Sequence, residues 1–227
     1  MAKLEWDKSG EKRFEMGVDH GVLYTYNSTT KKYNTGVVWN GLTTVTASPD
    51  GAEPTDLWAD NIKYATLRSA ETFGATIEAY TYPAEFAECD GSAQLVAGVH
   101  LGQQSRKTFG FCYRTKVGDD TDPDGSKYRI HIIYNATASP SERSYETIND
   151  SPDGQTLSWE ITTTPISVTG FKPISEVTID SWSVSAEILA ALENKLYGTE
   201  STEPTLPLPE DGNDGLFKLL GYTAPQG

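Results

Sequence analysis

The acidic turn Asp120–Gly125 has the most recognisable chemical pattern of the sequence. It reads Asp-Thr-Asp-Pro-Asp-Gly and matches the start of a calcium-binding loop. Such a loop needs a carboxylate at its twelfth position, which is His131 in this chain. Pro123 interrupts the loop, and the flanking segments alternate like strands rather than helices. We therefore expect a solvated hairpin tip at Asp120–Gly125 rather than an ion site.

Other metal and redox ligands are scattered. His20, His100 and His131 do not have the spacing of a helical ligand pair, and Cys89 and Cys112 do not form a Cys-x-x-Cys motif. We expect no zinc site. Two cysteines in a chain without a recognisable export signal predict reduced thiols in a protein made in a cytoplasm.

Catalysis by paired carboxylates is a weaker interpretation than an acidic surface. No base lies among the carboxylates between Arg68 and Arg106, which are Glu71, Glu78, Glu85, Glu88 and Asp90. Two of them facing each other would suit a glycosidase, but an acidic strand face and helix start is favoured. The sequence contains no nucleophile-elbow, P-loop or dinucleotide motif. We predict no catalytic residue, no cofactor and no enzymatic activity.

Four tyrosines keep a carbohydrate-binding alternative open. Tyr24, Tyr26, Tyr80 and Tyr82 lie in two segments that alternate like strands. Such residues can form a platform on which sugar rings stack, although aromatic residues on strands more often pack as cross-strand pairs. An exposed platform on a monomer would favour an adhesin-like β-sandwich module.

Composition predicts a mainly β protein. The chain has 227 residues, with 12 Tyr, 7 Phe, 5 Trp, 20 Gly and 12 Pro, which favours strands and turns over helices. Its net charge of −14 argues against tight nucleic-acid binding, which needs clustered cations. No apolar run approaches the roughly 20 residues of a membrane span, and we expect no membrane partner.

Hydrophobic periodicity predicts a series of strands and one helix. Ser185 can cap the helix and Gly198 can end it, with one apolar stripe that packs on the sheet. The predicted strands are Val22–Tyr26, Val37–Thr46, Ile62–Leu67, Thr72–Tyr82, a hairpin of Phe109–Lys116 with Tyr128–Asn135, Leu157–Thr162, and one around Val177 and Ile179. A short helix is predicted at Pro83–Cys89.

Two segments have the composition of assembly elements. The acidic stretch Ala47–Asn61 is predicted to be a long loop that carries Leu57 and Trp58 exposed. After Gly198 the chain becomes rich in Pro and acid, which predicts an extended arm ending in a small apolar patch. The expected assembly contacts are Pro49, Asp50, Gly51, Leu57, Trp58, Leu216 and Phe217.

The stretches Trp39–Leu67 and Ala70–Gly91 add a resemblance to a known family. Their sequences resemble those of the phi13-like major tail proteins of long-tailed bacteriophages; they read WNGLTTVTASPDGAEPTDLWADNIKYATL and AETFGATIEAYTYPAEFAECDG. The resemblance implies a tail-tube β-sandwich or barrel with one flanking helix. It places that domain in residues 1–198, with an N-terminal arm, and an extended C-terminal arm in residues 199–227.

The resemblance also implies a role and partners. Subunits of this family form hexameric rings whose sheets join into one inner barrel, and the rings stack into a tube. The tube guides DNA into the host without a specific DNA site. The expected partners are other copies and tail proteins such as the tape measure, tail terminator and distal tail proteins. The expected location is the virion tail, after synthesis in the bacterial cytoplasm. A type VI secretion-like tube protein is the near alternative. Glu71 and Glu78 are the acids expected to line the bore.

Overall fold

The computed structural model describes residues 4–51, 53–145, 147 and 154–222. This part of the chain is mainly β, as predicted, with one twelve-residue helix. The strands are β1 (Phe14–Asn27), β2 (Lys32–Tyr33), β3 (Val37–Trp39), β4 (Leu42–Ala47), β5 (Asp50–Gly51), β6 (Pro54–Ala59), β7 (Ile62–Arg68), β8 (Glu71–Thr72), β9 (Gly74–Ala79), β10 (Ala93–Val96), β11 (Val99–Leu101), β12 (Phe109–Gly118), β13 (Lys127–Ala138), β14 (Leu157–Thr163) and β15 (Glu176–Asp180). The helices are a short 3₁₀ helix (Ala84–Glu88), α1 (Ala186–Tyr197) and α2 (Leu216–Leu219).

Nine strands form one large antiparallel sheet. The order along it is β2-β1-β12-β13-β14-β9-β4, while β3 pairs with β1 and β15 pairs with β13. The predicted hairpin of β12 and β13 lies at its centre. The strand β1 begins at Phe14 rather than at the predicted Val22, because Phe14–Asp19 also pairs with β12. Three two-stranded ladders lie outside this sheet: β5 with β8, β6 with β7, and β10 with β11.

One face of the sheet closes over an aromatic core. The ring centroids of Trp39 and Phe86 are 4.5 Å apart, and Trp159 lies 5.5 Å from Trp39. Phe86, on the short 3₁₀ helix, also meets Phe109 of β12 at 5.4 Å in an edge-to-face contact. Such pairs add about 0.5–1.5 kcal/mol beyond the burial of their area. This core joins β9, β14 and β4 to the central strands.

The opposite face of the central strands is covered by α1 and the C-terminal segment. Leu192 and Leu196 of α1 are buried against Ile130 and Ile132 of β13 and against neighbouring residues of this core. The helix ends as the sequence predicts: the Ser185 side chain accepts a hydrogen bond from the Ile188 amide, and Gly198 follows the last turn with φ 78°.

The C-terminal segment includes α2 and packs on the body of its own subunit. Within residues 199–222, Leu206 and Leu216 are buried in the second core of their own subunit. The hydroxyl of Tyr134 donates to the Pro207 carbonyl at 2.9 Å. Gly110 makes this approach possible, because a Cβ at Gly110 would lie 2.2 Å from a methyl carbon of Leu206. The expectation of a free arm over Thr199–Gly227 is therefore corrected as far as Tyr222; residues 223–227 lie outside the described residues.

We expect truncation after Gly198 to destabilise the protein strongly. The truncated chain loses the buried side chains of Leu206 and Leu216 and exposes the second core to water. In the full-length chain, Leu216→Ala alone is expected to lower the free energy of unfolding by about 2–5 kcal/mol, the range for burial with a residual cavity. Urea unfolding followed by Trp fluorescence measures both effects.

Leu4→Ala is the matched control, since Leu4 is exposed. It is expected to leave the unfolding midpoint unchanged. A truncated protein as stable as the full chain would contradict the assignment of the C-terminal segment to the subunit's own core.

Candidate assembly surfaces

The predicted long loop is a β-hairpin. Residues expected to be irregular, Ala47–Asn61, contain β5 and β6, and β6 pairs with β7 from Pro54↔Arg68 to Ala59↔Ile62. Asp60 and Asn61 form the two-residue turn with φ of 52° and 64°, the left-handed pair that matches the twist of hairpin strands. The prediction of a loop was wrong because the turn lacks the glycine that normally signals a hairpin.

This hairpin is amphipathic. Side chains alternate between the two faces of the ladder, and one face carries five apolar side chains: Leu57, Ala59, Ile62, Ala65 and Leu67. Leu57, Ile62 and Leu67 are 42%, 64% and 55% exposed, and none of them belongs to either core. The hairpin thus presents an uncovered apolar face, along a ladder whose register shifts between Leu57 and Trp58.

The other face of the hairpin satisfies its own polar groups. Lys63 Nζ lies 2.7 Å from Asp56 Oδ1, and the Thr66 hydroxyl donates to the same carboxylate at 2.8 Å. The Lys63 hydrogen bond and then the Thr66 hydrogen bond lower the pKa of Asp56. Trp58, 68% exposed, lies on this polar face. Leu57 and Trp58 are both exposed, as expected, but they point to opposite sides.

Pro49, Asp50 and Gly51 lie at the base of the hairpin. Asp50 and Gly51 form β5 and pair with Thr72 and Glu71 of β8. Gly51 has φ 89°, and a Cβ there would lie 2.6 Å from the Ala70 carbonyl oxygen, so a side chain is excluded. Their observed contacts join the hairpin to its own subunit.

Leu216 and Phe217 differ in position. Leu216 is fully buried within its own subunit, so its assignment as an assembly contact was wrong. Phe217 is half-buried and lies at an apolar groove of about 300 Å³ between β15 and the C-terminal segment. The groove is lined by Val168, Phe171, Ile174, Glu176, Val177, Phe217 and Tyr222.

A second apolar hairpin was not predicted. The strands β10 and β11 pair Val96 with Val99 across the two-residue turn Ala97-Gly98, in which Gly98 has φ 80°. Leu95 and Val96 are 63% and 59% exposed. A two-residue turn with Gly between short apolar runs is a sequence signal for a hairpin, and Ala97-Gly98 carries it.

Glu71 and Glu78 occupy different ladders. Glu71 is exposed in β8 at the hairpin base, and Glu78 is half-buried in β9 of the large sheet. Glu78 faces away from the aromatic core, since its neighbours Ile77 and Ala79 are the buried ones. The polar side chains that share this outer face are Thr44, Thr46, Thr76, Ser158, Glu160 and Thr162.

Asp119 and Asp122 accept hydrogen bonds from residues in and directly after the acidic turn. Asp119 accepts hydrogen bonds from the Thr121 amide and the Asp122 amide, both at 2.9 Å, and Lys127 forms an ion pair with it. Asp122 accepts from the Ser126 amide at 2.9 Å. Within residues 4–51, 53–145, 147 and 154–222, no group of three or more acids, histidines or cysteines could hold a metal ion.

The four tyrosines do not form a sugar platform. Tyr24 is fully buried, and its hydroxyl donates to the Leu196 carbonyl at 2.6 Å. Tyr26 packs edge to face on Tyr33, and Tyr82 packs against Trp159 in the aromatic core. Only Tyr80 of the four is exposed. The side chains expected to stack on a ligand are instead packing residues, as cross-strand pairs usually are.

The carboxylates considered for catalysis are in part held in ion pairs. Asp90 lies 3.5 Å from an Arg106 nitrogen and also pairs with Arg143. Glu88 pairs with Lys107.

Both cysteines are buried free thiols. Burial raises the pKa of Cys89 and of Cys112 to about 12, which keeps each thiol protonated and unreactive near neutral pH. Among the described helices, none is long and apolar enough to span a membrane.

Comparison with known proteins gives distant structural similarities only. No family model matches the chain, and no curated protein matches it. Among solved structures, it is similar to a chain of the PVC sheath–tube complex of an extracellular contractile injection system in the extended state. The two are 10% identical, the match covers 71% of this chain and 88% of that chain, and the TM-score is 0.30. A TM-score of this size supports no conclusion about function.

We expect Asp119 to make stability depend on acid pH. Lys127, followed by the Thr121 donors, holds the pKa of Asp119 well below its ordinary value of 3.8. A carboxylate with a lowered folded-state pKa stabilises the fold above its unfolded-state pKa, and the contribution is lost as the pH falls through the folded-state value. Asp119→Asn should therefore be less stable than the parent protein at pH 7, with a difference that narrows below pH 3.8.

Urea unfolding at pH 7, 5 and 3 measures this difference. Asp124→Asn, in the same turn but exposed, is the control and should lie close to the parent at every pH. A gap between Asp119→Asn and the parent that stays constant down to pH 3 would contradict the role of this carboxylate.

Proposed function

We propose that this chain is a non-catalytic structural subunit that polymerises as stacked hexameric rings into the tail tube of a long-tailed bacteriophage. The observation that carries the proposal is the β6–β7 hairpin, whose apolar face is uncovered. This hairpin lies inside Trp39–Leu67, one of the two stretches in which the resemblance to major tail proteins is densest. On this proposal the protein is made in the bacterial cytoplasm and works in the virion tail with other tail proteins.

The apolar face of the hairpin favours a partner over solvent. Complete burial of a fully exposed Leu or Ile contributes about 1.5–3 kcal/mol. Covering Leu57 and Ile62, which are 42% and 64% exposed, contributes a corresponding share each. On the reverse side, Asp56 and Lys63 already neutralise each other. A copy that covers this face with a different part of its own surface makes a head-to-tail contact, which generates an open filament rather than a closed dimer.

Open sheet edges support ring formation. Within the described residues, β15 pairs only with β13 and β2 pairs only with β1, so each is an edge strand of the sheet. Unpaired strand edges bind other strands readily, and a closed ring of joined sheets removes them. We propose that the sheets of neighbouring subunits join at such edges into the inner barrel of the ring.

The outer face of β4, β9 and β14 is the proposed lining of the bore. Its polar side chains include Glu78 and Glu160 but no Lys or Arg. Three cations that a DNA-binding lining would use are paired: Lys107 with Glu88, Arg114 with Asp19, and Arg129 with Glu15 and Asp180. An acidic lining interacts weakly and uniformly with DNA phosphates, as a conduit requires. We propose that Glu71, at the hairpin base, adds to this lining.

We expect replacement of Leu57 and Trp58 by Ser to abolish tube formation without unfolding the subunit. Both side chains are exposed in the subunit, so their loss removes contact area only from an assembly. Negative-stain microscopy and sedimentation of concentrated protein measure assembly, and urea unfolding checks the fold. Leu57→Ser and Trp58→Ser made singly then show which face of the hairpin makes the contact.

The matched control alters polar residues of the same hairpin. The double variant Asp56→Asn with Lys63→Gln removes the ion pair but keeps Leu57 and Trp58. This variant should assemble normally. Normal tubes from the Leu57→Ser, Trp58→Ser protein would contradict the hairpin's role. A parent protein that stays monomeric at high concentration, even with tail preparations as nuclei, would contradict the tube function itself.

We expect Glu78→Lys with Glu160→Lys to make assembled tubes bind double-stranded DNA. The substitutions place cations on the proposed bore lining, where they would release counterions from DNA. Binding of labelled DNA to preformed tubes should appear at low salt and disappear as salt is raised, while parent tubes bind weakly throughout.

Glu187→Lys with Glu200→Lys changes the charge equally at exposed positions on and just after α1. This control should not acquire salt-sensitive DNA binding inside the tube. Equal binding by the two variants would mean that Glu78 and Glu160 do not line the bore.

A further inference from the structure

The β10–β11 hairpin carries an uncharged apolar tip that the proposed contacts do not use. Leu95 and Val96 are 63% and 59% exposed, and Val99 and Leu101 are also exposed. The chain has 32 acidic residues, yet residues 91–105 contain no Asp, Glu, Lys or Arg. None of the four apolar side chains belongs to either core. Two copies of this chain, each with a net charge of −14, can therefore come together at this tip without local charge repulsion.

A concave surface of matching chemistry lies elsewhere on the same subunit. The groove of about 300 Å³ beside β15 is lined by Val168, Ile174, Val177, and the rings of Phe171, Phe217 and Tyr222. Phe171 and Tyr222 have centroids 5.7 Å apart, and Phe217 meets Tyr222 at 5.9 Å, so the aromatic wall is continuous. The one acid in the lining, Glu176, lies 3.4 Å from the His131 ring.

The two hairpins differ in what their tips would bring into this groove. The β6–β7 hairpin turns through Asp60 and Asn61, and Lys63 follows directly. Burying such groups against an almost wholly carbon lining is unfavourable without new partners. The β10–β11 hairpin turns through Ala97 and Gly98, which are small and uncharged. The tip of the β10–β11 hairpin therefore suits the groove. The β6–β7 hairpin would instead contact a partner through its apolar face.

We propose that the tip of the β10–β11 hairpin inserts into the groove of a second copy of this chain. The proposal rests on the tube function proposed above, because a knob and a groove at different places on one subunit make a head-to-tail contact that repeats along a filament. The contact adds a second assembly surface to that of β6–β7. Its partner is the Phe171 side of the neighbouring subunit.

Directed disulfide formation tests this contact. One preparation carries Val96→Cys and another, with a size tag, carries Phe171→Cys; they are mixed, assembled and mildly oxidised. The native thiols Cys89 and Cys112 are buried and do not compete. The expected product is a mixed dimer of tagged and untagged chains, formed in the assembled fraction and absent from dilute protein.

Two other products would overturn the proposal. If the Trp58→Cys variant cross-links to Phe171→Cys and the Val96→Cys variant does not, the β6–β7 hairpin rather than the β10–β11 hairpin occupies the groove. Untagged dimers joined through Val96→Cys alone would mean that the tips pack on each other. Cross-links of neither kind in well-formed tubes would likewise reject the contact while leaving the tube function intact.

Assembly of serine variants provides the second measurement. Val96→Ser with Val99→Ser is expected to raise the concentration needed for assembly by about tenfold or more, since two apolar contacts are lost at each repeat. Gln94→Ser, on the same hairpin, is the control and should assemble as the parent does. Unchanged assembly of the double variant would reject the proposal. If the parent forms no ring or tube under any condition, the tube function fails and this contact fails with it.

Discussion

The central strands β1, β12 and β13 must be covered on both faces, and the rest of the fold follows from this constraint. On β12, Phe109, Phe111 and Tyr113 point to one core while Cys112 points to the other. An antiparallel sheet often keeps one face in water, but a sheet with apolar residues on both faces needs two layers of cover. The curled strands β9, β14 and β4 supply the first layer, and α1 with the C-terminal segment supplies the second.

This constraint gives the C-terminal segment its place. A helix of twelve residues is too short to cover three long strands alone, so the stretch after Gly198 covers the remainder with Leu206 and Leu216. The hydroxyls of Tyr24 and Tyr134 anchor both elements through backbone carbonyls of Leu196 and Pro207. Prolines keep this segment extended, as its composition predicts, and an extended chain can follow a sheet surface without forming a sheet edge of its own.

The sequence predicted the elements whose signals are local. The alternation in β12, β13 and β14 and the caps of α1 can be read from neighbouring residues, and the structure has them within a few positions. The β6–β7 hairpin was missed because its turn, Asp60-Asn61, has no glycine. The burial of Leu216 was missed because it depends on residues distant in sequence, such as Gly110, whose missing side chain admits Leu206. Burial of an apolar residue by its own subunit or by a partner depends on such distant contacts, so sequence pattern alone could not separate Leu216 from Leu57.

Both cores are complete without the two hairpins, and this explains why their apolar side chains indicate association. Single exposed apolar residues are common on protein surfaces, whereas contiguous apolar patches mark interaction sites. Here Leu57, Ile62 and Leu67 share one side of β6–β7, and further exposed apolar residues surround the tip of β10–β11, each set held in place by a two-stranded ladder. The net charge of −14 acts against random contact between these patches, because copies repel unless acid-poor surfaces meet. Negative charge over the body, with exposed apolar side chains concentrated on two hairpins, therefore favours ordered association over aggregation.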